Sequence, residues 1–114
     1  MTYDNFTENA QDAILSGQRM AHTQGQLEVG TCHLLHGIID TDPELIEYLF
    51  TRASISLSMF KRELYKLIEK YPGVKGTKKQ YLSKEANKAL STAKKVTLVW
   101  GDQFITPESM LFGI

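Results

Sequence analysis

Apolar positions along the chain recur at helical spacing, in blocks separated by Gly and Pro. Phe6, Ala10, Ala13, Ile14 and Ala21 mark one face of a first helix. That helix opens near Asn5 or Thr7, with Asn5 and Glu8 in capping-box register, and stops at Gly25. A second helix is predicted from about Thr31 to Ile39, and Asp42-Pro43-Glu44 starts a third that carries Leu45, Ile46, Leu49, Phe50 and Ala53. After a tight corner at Ser54-Ile55-Ser56, the fourth helix places Leu57, Phe60, Leu64, Leu67 and Tyr71 on one line, with Lys61, Arg62, Lys66 and Lys70 off it. The stretch from Pro72 to Gln80 breaks the pattern and reads as a linker. A fifth helix begins near Ser83 and presents Ala86, Ala89, Leu90 and Ala93; a sixth begins at Thr106-Pro107.

The blocks repeat. Gly25 to Ile38 aligns without a gap on Gly101 to Ile114, at an offset of 76 residues. Gly25/Gly101, Leu35/Leu111, Gly37/Gly113 and Ile38/Ile114 are identical, and Ala10/Ala86 and Ala13/Ala89 keep the same offset. Two copies are too few for a solenoid. They predict an all-α fold, a duplicated helical bundle about a pseudo-twofold axis, in which residues 6–39 and 82–114 superpose. Repeat 1 then covers about residues 5–70, a linker 71–80, and an incomplete repeat 2 about 81–114, all within one domain over residues 1–114. Val96-Thr97-Leu98-Val99-Trp100 is strand-like by propensity, yet the repeat makes it the twin of a helical turn, so it is assigned to the fifth helix. The second copy stops at the equivalent of Ile38. Either the chain is a fragment of a longer one or half of one repeat is missing; with those two helices absent, Leu111, Phe112 and Ile114 are expected to be left uncovered and to favour self-association.

Composition changes this picture little. Thirteen basic and thirteen acidic side chains cancel, which argues against a nucleic-acid or membrane surface built on bulk charge. Cys32 is the only cysteine, so no intrachain disulfide forms. No signal-peptide pattern opens the chain, and no apolar run is long enough to span a membrane; a cytoplasmic location is expected.

The candidate chemistry is sparse. Gly73-Val74-Lys75-Gly76-Thr77-Lys78 has the wrong spacing for a phosphate loop, so no nucleotide or other cofactor is expected in this chain. Lys75, Lys78 and Lys79 lack interleaved aromatics and read as a solvated linker. Cys32, His33, His36 and His22 are metal-ligand types, but a zinc site needs three or four converging ligands, and packing is the preferred reading; no metal is expected. No catalytic residue is assigned.

The doubled Gly-x-x-Val/Ile-x-Thr/Pro-x-x-Leu/Met-Leu-x-Gly-Ile pattern resembles the N-terminal domain of Clp-family AAA+ unfoldases. Phe6-Thr7 with Gln11, Tyr71 to Thr77, and Gly101 to Ile105 are most similar to the ClpB disaggregase type. The resemblance implies a non-catalytic module that binds unfolded or aggregated protein clients or an adaptor, ahead of ATPase modules in a parent protein that uses ATP and is hexameric. A sister branch implies instead a module that grips a helix of the type VI secretion sheath. A stand-alone regulatory binding protein is a further alternative. Carried over position by position, the resemblance implies a peptide groove between the repeats with contributions from Thr7, Leu90, Asp102 and Glu108. Each of these has a plain structural reading beside it: a helix cap, a core side chain, or first-turn acids. The chain departs from the pattern at Ser54, where the family usually has Gly, and at Thr92 and Ser109, which are apolar in some disaggregases. Val99 and Trp100 are twins of the polar Thr23 and Gln24, so apolar side chains are expected near solvent in the second copy only. Trp100 is accordingly placed at the border of the groove. The alternatives are packing on its own linker, for instance on Tyr81, or against the missing helices.

Overall fold

A computed structural model of the chain describes residues 3–73 and 79–114. Six helices and two very short strands alternate as α1 (Glu8–Thr23), β1 (Glu28–Val29), α2 (Thr31–Thr41), α3 (Pro43–Ala53), α4 (Leu57–Glu69), β2 (Tyr81–Leu82), α5 (Lys84–Val99) and α6 (Pro107–Gly113). Side-chain oxygens cap most helix starts. Thr7, Asp42, Ser56, Ser83 and Thr106 each accept a hydrogen bond from a first-turn amide. The α1 cap is therefore Thr7, whereas Asn5 holds the second copy of the motif: its carbonyl accepts from the Ile105 amide at 2.8 Å. Helix α2 continues two residues past Ile39, and Asp42 then ends it while capping α3.

The duplication is visible bond by bond. Thr7 N donates to Ile105 O, and Ser83 N donates to Val29 O, both at 2.9 Å. Thr7 and Ser83 are twins at the offset of 76, as are Val29 and Ile105. The parallel pairing of β1 with β2 and the Phe6–Ile105 bridge are thus one interaction made twice. The strands escape the helical periodicity because each is only two residues long, below the length at which alternation shows. Gly25 and Gly101 both end their helices with positive φ, 68° and 77°, a conformation that costs glycine no steric strain. Gly37 lies against the backbone of Ala13, and its twin Gly113 lies against that of Ala89. Small residues at these positions let α1 approach α2, and α5 approach α6, backbone to backbone.

One buried cluster joins the two copies, from Phe6, Ile14, Leu34, Ile38, Ile46 and Ile68 to Leu90, Ile105 and Met110. The inward line of α4 is Leu57, Phe60, Leu64 and Ile68 rather than one through Leu67, which is 48% exposed. Adjacent helical residues differ by about 100° in direction, and from Leu64 the step of four keeps Ile68 over α2. The Val96–Trp100 segment is helical despite its strand propensity: Trp100 N donates to Val96 O at 3.0 Å. Ile38 is fully buried, whereas its twin Ile114 is exposed, and so is Phe112.

Ser54 ends α3 at φ 56° and ψ 38°, a left-handed conformation disfavoured for residues with a Cβ. Replacing Ser54 with Gly removes that strain but adds freedom to the unfolded chain. A net gain of about 0.5–1 kcal/mol is expected. A thermal melt of Ser54→Gly should show Tm a few degrees higher; an unchanged or lower Tm would remove the strain account.

Candidate functional site

Where the two copies meet, the helix α5 face built from Asn87, Leu90, Ser91 and Lys94 lies beside Asp4, Asn5, Phe6 and Ile105. Together they line an open groove of about 440 Å³. Its floor is apolar, formed by Phe6, Leu90 and Ile105, all buried. Its margin carries one acid, Asp4, and one base, Lys94, which make no ion pair with each other among the described residues. The backbone bonds of the Phe6–Ile105 bridge fix the floor in place. The groove therefore offers a small apolar contact flanked by both signs of charge and three amide- or hydroxyl-bearing side chains, Asn5, Asn87 and Ser91, a surface suited to an extended polypeptide.

The pseudo-twofold generates a second groove lined by Gln18, Val29, Gln80, Tyr81 and Leu82 with Tyr3 and Asn87, about 300 Å³ in volume. Gln80 Nε2 donates across it to Gln18 O at 2.9 Å, so part of its width is already bridged. The twin position in the first groove is Asp4, whose shorter, charged side chain makes no such bridge.

The residues singled out from the sequence are dispersed. Leu90 is 3% exposed and forms part of the groove floor. Thr7 follows the groove-lining Phe6, and its hydroxyl is engaged as the α1 cap at 3.2 Å from Ala10 N. Asp102 and Glu108 are exposed and outside the groove lining, the latter in the first turn of α6. Trp100 is 48% exposed at the end of α5; its aromatic contact is Phe112, edge-on at 5.9 Å, and not Tyr81. Ser109 does not bear on the groove either, since it is buried in a reciprocal cap with Thr106. The groove residues missed from sequence had a readable signal: positions 87, 90, 91 and 94 are one helical stripe.

The histidines have structural duties. His33 Nδ1 accepts from Gly30 N at 2.9 Å, and Nε2 lies 2.7 Å from Gln26 Oε1, which fixes a neutral ring with its proton on Nε2. Gln26 in turn donates to Ile68 O at 2.7 Å, tying α2 to the end of α4. Burial, with a smaller contribution from His36, pulls the His33 pKa down to about 4. Burial also lowers His36, against the opposing pull of Asp40. Tyr71 packs edge-on to His33, and burial together with the nearby Cys32 pushes its hydroxyl up to about 12. Among the described residues no three metal-ligating side chains converge. Lys75 and Lys78, like most of the phosphate-loop candidate, lie outside the described residues, and Lys79 is exposed. Among the described residues no helix is long and apolar enough to cross a membrane.

The sequence matches the Clp repeat (R) N-terminal domain family over residues 5–114. The chain belongs to the Clp repeat N-terminal domain family. Its relatives include the chaperone protein ClpB of Bacteroides thetaiotaomicron, 27% identical over 114 residues, which is all of this chain and 13% of that protein. Among solved structures, the Hsp104 N-terminal domain from Candida albicans is similar at TM-score 0.85 and 22% identity, over 96% of this chain and 73% of that one. The N-terminal domain of the ClpV1 ATPase from an E. coli type VI secretion system is similar at TM-score 0.82 and 16% identity, over 96% and 66%. These structural likenesses establish the Clp N-domain fold. The Clp N-domain described here thus spans about an eighth of the length of the ClpB chaperones it matches.

Proposed function

We propose that this Clp N-domain is the substrate- or adaptor-binding module of an ATP-dependent Clp unfoldase of the disaggregase type. The groove between the two motif copies receives an extended protein segment. The observation that carries this is the groove itself: an apolar floor of Phe6, Leu90 and Ile105, held by paired backbone bonds and flanked by Asp4 and Lys94. Match to ClpB proteins over the whole chain supports the disaggregase type. ATP hydrolysis, hexamer formation and a cytoplasmic setting belong, on this reading, to the parent protein. The likeness to ClpV1 supports a second reading, in which the same groove takes a sheath helix. Thr7, Trp100, Asp102 and Glu108 lie outside the groove lining.

The test is a charge reversal at the margin. Lys94 is exposed, so Lys94→Glu should leave the fold intact. Next to Asp4 it makes one end of the groove wholly acidic. Affinity for a fluorescently labelled, permanently unfolded client should fall about three- to tenfold, the range expected for one partly screened charge contact. Unchanged anisotropy titrations for Lys94→Glu and for Ser91→Arg would move client binding elsewhere on the domain.

A further inference from the structure

A further cleft opens away from both grooves and shares no lining residue with either. It lies between α2 and α4, with a volume of about 380 Å³. Ile39, Leu64 and Ile68 line its floor, and Asp40, Lys61 and Tyr65 its rim. Two of the rim groups are positioned by α1 and the residue that caps its end, Gln24. Ser16 Oγ donates to Asp40 Oδ2 at 3.0 Å, and Gln24 Nε2 donates to the Tyr65 hydroxyl at 3.1 Å. Each bond leaves a specific valence open: Asp40 keeps Oδ1 as an acceptor, and Tyr65, which accepts from Gln24, keeps its own proton to donate. Lys61 has no ion-pair partner among the described residues, although Asp40 lines the same cleft. The rim thus holds a cationic donor, a hydroxyl donor, one anionic acceptor and the imidazole of His36, above a floor that suits one apolar side chain.

We propose that this cleft binds the carboxy-terminal end of a polypeptide whose last residue is apolar. The terminal carboxylate takes hydrogen bonds from Lys61 Nζ and the Tyr65 hydroxyl. The backbone N–H of the last residue donates to Asp40, and its side chain lies on Ile39, Leu64 and Ile68. The Lys61 cation beside the Tyr65 hydroxyl donor favours a carboxylate end over an amino end, which would leave Lys61 facing an ammonium. The volume suits one or two residues and not a folded surface.

The experiment is an NMR titration of the 114-residue chain with acetyl-Gly-Gly-Leu bearing a free carboxylate. Backbone amide resonances of Asp40, Lys61 and Tyr65 should move, while those of Asn87, Ser91 and Lys94 stay. The carboxamide form of the peptide should bind about tenfold or more weakly, as should the free acid to Lys61→Gln, because each removes a charge-assisted hydrogen bond. Lys61 is exposed, so its replacement leaves the fold intact, and client binding in the groove should be unchanged. Equal binding of acid and carboxamide overturns the proposal. So do tighter binding of Leu-Gly-Gly-amide through its free amine, shifts confined to the groove, or no shifts at millimolar peptide.

Discussion

Gly37→Ala should destabilise the fold by about 3 kcal/mol, the upper part of the range for overpacking a core. The sign is informative, because in an exposed helix the same change is stabilising by about 1 kcal/mol. A Cβ on Gly37 would overlap the carbonyl oxygen of Ala13 and crowd the amide of Gly17. Both are main-chain groups of α1 and cannot turn aside as a side chain does. Relief requires α1 and α2 to separate, which opens the packing of the fully buried Ile14, Leu34 and Ile38. The twin change, Gly113→Ala, meets the Ala89 carbonyl in the same way. Its cost should be less than half as large, since α6 has seven residues and can tilt away from α5. Urea denaturation followed by circular dichroism measures both; a Gly37→Ala variant as stable as the parent would mean that the helices do not cross through that glycine.

Acid should weaken the fold through His33. Its pKa in the folded chain is about 4, below the ordinary 6.5, so the folded state binds fewer protons than the unfolded state between those values. Stability gained by holding the ring neutral is complete above about pH 6.5 and is lost as pH falls toward 4. The loss attributable to this ring is about 3 kcal/mol over that window. Protonation places a proton on Nδ1, which then confronts the Gly30 amide instead of accepting from it. His36 is shifted in the same direction and adds to the slope. His33→Gln retains an acceptor at the third helical position and cannot titrate there, so its stability should depend much less on pH. Equal slopes for the parent and His33→Gln from pH 7 to pH 4 would exclude the ring as the cause.

The helices were legible because their signals are redundant. Thr106-Pro107, Asp42-Pro43 and the twin glycines each mark a boundary by a local physical preference, and the offset of 76 resolved the one conflict of propensity at Val96–Trp100. What the sequence concealed was of two kinds. Choices between adjacent residues, such as Leu67 or Ile68 and Asn5 or Thr7, depend on where a neighbouring element sits, which periodicity does not encode. The two-residue strands and the groove they support are long-range pairings, between positions whose own neighbours carry no trace of them. Leu90 lines the groove, but the Asn87–Lys94 stripe gains meaning only once Phe6 and Ile105 are known to face it. Trp100, set apart by its chemistry, packs on Phe112.

The reciprocal pairing of Phe6 with Ile105 and of Val29 with Leu82 has a consequence for biosynthesis. The segment that anchors the start of α1 is made about a hundred residues later. At a synthesis rate of about 5–20 residues per second, several seconds pass before Ile105 follows Phe6 off the ribosome. During that interval α1 to α4 can assemble on one another, while the edge at Val29 waits for Leu82 and the edge at Phe6 waits longer, for Ile105. The nascent domain thus displays, for a short time, the kind of unpaired edge that can template pairing with another chain.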